Sequence, residues 1–252
     1  MQRAATRIGE ARMTAMPEIQ VVGDTVEFSA AMRPERKVLS GQFIELVPLT
    51  AVAHADVLFD AANGGDKDSV WTYLFDGPFT DRAVFRANIE AKARSEDPLF
   101  FAAVDKATGR AKGYQTLMRI DPVHGSIEVG NIMYTPPLQR TIAATEAQYL
   151  FARYVFDELG YRRYEWKCNA LNAPSRRAAL RLGFTFEGIF RQHMIVKGRN
   201  RDTAWYSMID REWPSRRAGF ERWLAPDNFD AEGRQIFNLA TCVRNEVQNA
   251  DR

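Results

Sequence analysis

Residues 136–147 read PPLQRTIAATEA, and the apolar-periodic run QYLFARYVFDELG follows directly. Two prolines, a Gln-Arg pair and a threonine stand where a helix begins. Such a start suits an anion: its first N–H groups lack intrahelical acceptors and the helix dipole lies behind them. No glycine lies between Gly130 and Gly160, so the stretch reads either as an anion site or as a well-started helix. Elsewhere the reactive residue types are scattered. Cys168 and Cys242 lie far apart and His54, His124 and His193 stand singly, too dispersed for a zinc site, so no metal is expected. A glycine-bounded loop, GGDKDSVWTYLFDGPF (64–79), carries Trp71, Tyr73, Phe75 and Phe79, a set able to line a pocket or to fill a core.

These residues sit in a chain of 252, 46% hydrophobic and 26% charged, which is the make-up of a globular protein with a full core. The net charge of +2 is too small to suggest a nucleic-acid partner. No apolar run approaches a membrane span, so no membrane partner is expected. The leader MQRAATRIGEARMTAM lacks the hydrophobic middle of a secretion signal. With its two lone cysteines the chain is expected in a reduced, cytoplasmic setting.

Periodicity supplies the elements that must hold the chemistry. In QFIELVPL (42–49), Ile44 and Leu46 share one face of a strand and make its core side. Residues 51–62 and 80–94 read as helices, the second capped by Thr80 or Asp81. Three strands follow at 98–105, 112–120 and 126–134, with short turns that make them antiparallel neighbours. After 136–147, Ala147, Leu150, Phe151, Tyr154 and Val155 recur on one face of a helix of about five turns, ended by Gly160. RRYEWKC (162–168) alternates, with Tyr164, Trp166 and Cys168 on one side and Arg163, Glu165 and Lys167 on the other. A helix over 172–184 starts at Asn172 and stops at Gly183. Strands at 186–196 and 203–210 flank the turn KGRNRD, which Asp202 is expected to fix, and a helix over 214–224 covers the sheet. The order predicts an α/β (α+β) fold with helices around a mixed sheet.

At ATEA (144–147), CNALNAPSRRAALRLGF (168–184) and FEGIFR (186–191) the chain resembles the GNAT family of N-acetyltransferases. Within that family it is most similar to the branch that includes the ribosomal-protein Nα-acetyltransferases. The resemblance covers about residues 40–212 and divides the chain into an N-terminal extension (1–38), a GNAT domain (39–212) and a C-terminal helical extension packed on it (213–252). It implies a mostly antiparallel, splayed central sheet flanked by helices, with acetyl-CoA in the cleft as co-substrate. It also implies direct attack on the thioester by a primary amine, either a protein N-terminus or a small molecule.

By the same resemblance, strand backbone at Met133 and Tyr134 meets the pantetheine. Gln139, Arg140, Thr141, Ile142, Ala143, Ala144 and Thr145 cradle the pyrophosphate, with Ile142 where the family has a central glycine. Asn172 and Arg176 lie beside the cofactor. The position of the family's tyrosine proton donor is Ala179, so the role passes to Ser175, as in the ribosomal branch; a plain N-terminal-turn hydroxyl is the other reading. Cys168 helps to hold a water or is a small buried hydrophobe. The branch's glutamate base corresponds to Met194. The candidates for base are therefore Glu128 and His193, although alternation turns His193 away from Met194's face. Trp71 and Tyr73 are placed at the acceptor pocket. The departures at Ile142, Ala179 and Met194 leave open a non-catalytic acyl-CoA-binding or interaction module of the same fold. Phe220, Trp223 and Leu224 offer a surface for a homodimer.

Overall fold

The computed structural model describes residues 22–250; much of the expected extension over 1–38 falls on residues 1–21, outside the described residues. From residue 31 the chain is fastened to the body. Ala31 and Met32 donate their N–H groups to the carbonyls of Pro122 and Leu159, and Glu35 N–H donates to the Tyr154 hydroxyl.

Eight strands form one open sheet. They are β1 (Leu39–Ser40), β2 (Ile44–Pro48), β3 (Leu99–Asp105), β4 (Arg110–Asp121), β5 (Ser126–Tyr134), β6 (Arg163–Asn169), β7 (Thr185–Val196) and β8 (Arg199–Ile209). Their spatial order is β1-β2-β3-β4-β5-β6-β8-β7. Every neighbouring pair is antiparallel except β5 and β6. That parallel pair is joined only from Ser126↔Arg163 to Val129↔Trp166. Beyond it the two strands run on without pairing, and the sheet splays.

Helices α1 (Ala51–Ala62) and α2 (Arg82–Arg94) cover one face of β2–β4. Each start is capped as its residue types dictate: Thr50 Oγ1 accepts from Ala53 N–H, and an Asp81 carboxylate oxygen accepts from Ala83 and Val84. The other face carries α3 (Ile142–Arg153) and α5 (Trp213–Leu224), with α4 (Ala173–Arg181) beside them. As expected, Ile44 and Leu46 point into this core and are fully buried. The last turn before Gly160 is a π-helical segment, Tyr154–Glu158, which the 3.6-residue period did not reveal. Phe220 and Trp223 of α5 are spent inside the chain: Phe220 packs on Tyr149 of α3 and Trp223 on Phe229. The apolar surface expected to meet a second chain is therefore already covered. A final helix, α6 (Leu239–Ala250), lies on α5; Val243 packs so close to Gly219 that a Cβ there would fall 2.6 Å from it. Among the described residues no helix is long and apolar enough to cross a membrane.

Two expectations about loops change. The segment 64–79 contains a 3₁₀ turn, Gly65–Trp71, rather than open loop. The β7–β8 connection is not KGRNRD but the two residues Lys197 and Gly198, both with positive φ (50° and 71°), the backbone that a tight hairpin requires. Asp202 consequently lies inside β8, where its Oδ1 accepts the Gln192 N–H.

Candidate active site

Helix α3 begins a few residues past the end of β5, and its N-terminus faces the β1–β2 and β3–β4 turns. Thr141 is its N-cap (φ −96°, ψ 166°), and its Oγ1 accepts the Ala144 N–H at 3.1 Å. Among the described residues no acceptor meets the N–H of Ile142 or Ala143, as the first turn of a helix requires. These amides open on a groove of about 500 Å³ shared with Gln42, Phe43, Asp105, Lys106 and Ala107. Two free amides and the helix dipole suit the helix start to an anion, while the Lys106 ammonium is held by the Gly41 carbonyl at 2.9 Å. The conformational demand expected at Ile142 falls elsewhere: Arg140 carries the positive φ (62°). Ile142 is an ordinary first helical residue packed against the core.

The roof of this groove is set by a residue whose role the sequence did not disclose. Glu146 of α3 accepts the N–H groups of Gln42, Phe43 and Ile44 at 2.6, 2.7 and 3.0 Å. Its carboxylate passes so near Gly41 that an added Cβ would lie 2.4 Å away, so only glycine fits there. Gln139 and Thr145 are engaged within the protein. Gln139 Nε2 donates to the Tyr134 carbonyl (2.8 Å), and Thr145 Oγ1 accepts from Arg181.

On the open edge of β5 one of the two expected backbone positions is corrected. Thr135 N–H donates to the Lys112 carbonyl, and the antiparallel alternation then turns Met133's backbone groups toward β4. Tyr134 N–H faces the opening instead. A bulge just before it, where Gln115 faces both Asn131 and Ile132 and Asn131 has φ 46°, re-aims this end of the strand. The Tyr134 ring turns under α3, bonded to Gln115 and Gln148. Burial pushes its phenol pKa up.

At the end of β6, Ser175 and Cys168 meet. Ser175 Oγ accepts the Trp166 indole N–H at 3.1 Å, which fixes the hydroxyl in the first turn of α4. Cys168 is buried, and burial raises its pKa while the neighbouring Ser175, Arg201 and Arg176 oppose the rise. Asn172 acts as the α4 cap, its Oδ1 accepting the Ser175 N–H. Arg176 is engaged within the protein. Its Nε donates to the Tyr206 hydroxyl and its Nη to the Ala170 carbonyl, which turns it back onto β8. Ala179 is fully buried and has no proton to give.

The opposite face of β6 carries a network of charges. Glu128 of β5 lies 2.9 Å from Lys167 Nζ and 3.0 Å from Arg119 Nε; Lys167 also lies 2.5 Å from Glu165. Arg163 joins Glu165 to Glu187. Burial raises the Glu128 pKa, and the two cations hold the rise back. Arg119 reaches Glu128 because a second bulge, with Arg119 at φ 50°, sits between Met118 and Asp121. Nothing in the sequence marks either bulge.

His193 is also corrected by a bulge. Residues 191–193 face Asp202 alone, with Gln192 at φ 50°, and alternation fails there. The His193 ring thus joins the charged face, Nδ1 at 3.0 Å from Thr203 Oγ1 and its ring beside Phe190 and Trp205. Burial and the cations Arg119, Arg201 and Lys167 lower its pKa, which keeps it neutral near pH 7.

Trp71 leaves the acceptor pocket altogether. It is fully buried, its Nε1 donates to the Ala62 carbonyl, and it packs edge-on against Phe79 and Phe85. A side chain with no exposed surface cannot line a cleft. Tyr73 does reach over: its hydroxyl donates to the Leu171 carbonyl at 3.2 Å and ties the 64–79 segment to the start of α4.

An opened sheet with an anion-ready helix start can be compared with known proteins. The sequence profile described as an acetyltransferase (GNAT) domain matches residues 44–185. The chain belongs to the GNAT acetyltransferase family. A GCN5-related N-acetyltransferase from Brucella melitensis is 52% identical, with a TM-score of 0.84 over 86% of this chain and 98% of that one. A GNAT-family structure from Chromobacterium violaceum is 37% identical, with a TM-score of 0.71 over 79% of this chain and 100% of that one. A Bacillus subtilis protein provisionally named as the ribosomal N-acetyltransferase YdaF is 30% identical over 105 residues. That alignment takes in 42% of this chain and 57% of that relative's length. The branch suspected from 168–191 agrees with that relative's name. The eight-stranded, mostly antiparallel open sheet is the GNAT architecture.

Proposed function

We propose that the protein is an acetyl-CoA-dependent N-acetyltransferase that moves an acetyl group to a primary amine. The observation that carries this reading is the division of the site. An anion-ready helix start follows the C-terminal end of β5, and a preorganised charged face lies along β5 and β6 where they splay. The free amides of Ile142 and Ala143, with Arg140, fit a diphosphate, and the Tyr134 N–H fits a pantetheine amide or thioester carbonyl. Acetyl-CoA, when bound, supplies the activated acyl group.

The chain's own groups then manage protons. Burial beside Lys167 and Glu128, each with about 5% of its side chain exposed, disfavours the ammonium form of an amine that enters there. Glu128, more basic than an ordinary carboxylate through burial, takes up the proton the amine releases. Ser175, held by the Trp166 indole and within reach of the end of β6, gives a proton to the departing sulfur. Calorimetric titration with acetyl-CoA tests the first step: saturable binding is expected, and no heat up to high micromolar concentration contradicts it.

A further inference from the structure

Three cations on the charged face of the sheet are matched by carboxylates: Arg119 and Lys167 by Glu128, Lys167 again by Glu165, and Arg163 by Glu165 and Glu187. A fourth cation is not matched. Arg201 of β8 is only 7% exposed. Its Nε is buried without a hydrogen-bond partner, and among the described residues no carboxylate pairs with it. Its guanidinium carbon lies 5.1 Å from the centroid of the Phe75 ring, which comes from the same 64–79 segment that Tyr73 ties down.

Its position in the sheet gives this side chain an address. Alternation along β8 puts Arg201 on the same side as Thr203 and Trp205. Those are the partners of His193 and of Lys167, whose ammonium stands over the Trp205 ring at 3.8 Å. Arg201 lies three residues from Ala204, which pairs with Cys168 of β6; that is about 10 Å along the strand. Cys168 and Ala204 face the other side of the sheet, and β6 ends at Asn169 opposite Thr203, so Arg201 stands just past the end of β6 at the edge of the charged face. Burying a guanidinium without a counter-charge is unfavourable, and here burial depresses its hold on its proton. The fork of a guanidinium matches a carboxylate in two parallel hydrogen bonds.

We propose that Arg201 anchors a carboxylate carried by the acceptor, so that the amine acetylated at this site belongs to an amino acid or to a peptide with an acidic group near its N-terminus. The inference rests on the transferase reading above and narrows it to one substrate class. A polyamine would bring further positive charge beside Arg201 and meets nothing there to pair with.

The test uses the full chain and matched acceptors. Thiol release from acetyl-CoA is compared for alanine and alaninamide, for β-alanine and β-alaninamide, and for the peptide amides Ala-Glu-Ala and Ala-Gln-Ala, with spermidine as the cationic case. The free amino acids and the peptides distinguish the two sources of the carboxylate. In at least one pair the acid member should exceed its neutral partner tenfold or more in kcat/KM, and spermidine should be poorer than that acid. R201Q should shrink this preference below threefold while leaving the acetyl-CoA Kd unchanged; R201K, which keeps the charge, should retain part of it. Neutral members used as well as the acids, or an acid preference that survives R201Q, overturns the proposal. A titration independent of turnover separates the two readings. N-acetylalanine, N-acetyl-β-alanine and N-acetyl-Ala-Glu-Ala amide are added to CoA-loaded protein. If no amine releases thiol, the transferase reading fails, and binding of any of these acids that R201Q weakens tenfold still supports the anchor. Equal binding to wild type and R201Q removes it.

Discussion

The two sides of β6 carry different loads. Toward α3 and α5, Tyr164, Trp166 and Cys168 are buried in the apolar core. Toward the opening, Arg163, Glu165 and Lys167 are tied into an ion network, and Lys167 has only 5% of its side chain exposed. One face is filled by helices, so packing determines its residues. The other side carries charges that are themselves nearly buried, so each must be matched by a partner of opposite sign or by an aromatic face such as that of Trp205. The ion network thus stands on one side of a sheet whose other side, with Cys168 and with the Ser175 hydroxyl against Trp166, holds the fold together.

The largest expected effect breaks that contrast directly. Lys167→Met leaves Glu128 and Glu165 facing each other without their shared cation. It should destabilise the protein by about 3 to 5 kcal/mol in urea unfolding, as much as Trp166→Ala on the apolar side. A loss below about 1 kcal/mol would mean that the charged face behaves as ordinary surface. Next come the proton-handling groups. Glu128→Gln should lower kcat/KM about 100-fold. Ser175→Ala should lower kcat by about 10- to 100-fold with acetyl-CoA affinity unchanged. An unchanged rate would remove that residue from the mechanism.

Smaller effects sharpen the same division. Arg140→Gly relieves a left-handed non-glycine residue and should stabilise the fold by about 0.5 to 1 kcal/mol, even after the entropy of the added glycine. Ile142→Gly should instead destabilise by about 0.5 to 1 kcal/mol; the reverse order would return the strained position to Ile142. The smallest effect concerns His193, whose folded pKa lies below 6.5. Between those two values the unfolded chain binds more protons, so stability rises with pH and is lost as pH falls through that window. His193→Gln should flatten this step in urea midpoints measured from pH 5 to 7.5.

Much of this was legible in the residues. Alternation in RRYEWKC gave both faces of β6, and Thr141, Asn172 and Asp81 stand where caps belong. The Asn-x-x-Ser-Arg unit located Ser175. Several misses share one physical cause: the backbone departs from regular geometry at residues that are not glycine. Arg119, Asn131, Arg140 and Gln192 all take positive φ, and nothing in their side-chain types announces it. Each bulge shifts alternation, which misplaced His193 and hid the contact of Arg119 with Glu128. Arg201 escaped for another reason: arginine is usually exposed, and burial of this one depends on a loop more than a hundred residues away. Trp71 was misread because an aromatic loop suits a pocket and a core equally until its accessibility is known.

An amine on the charged face of β6 and β8 is expected to receive an acetyl group from a cofactor held at the start of α3. A screen of primary amines for thiol release from acetyl-CoA, with the acetylated product quantified by mass, tests it most directly. The account predicts one acetylated amine per thiol released, with release abolished or strongly reduced in Glu128→Gln. Thiol release at the buffer rate with every amine, in a protein that binds acetyl-CoA saturably, would contradict it.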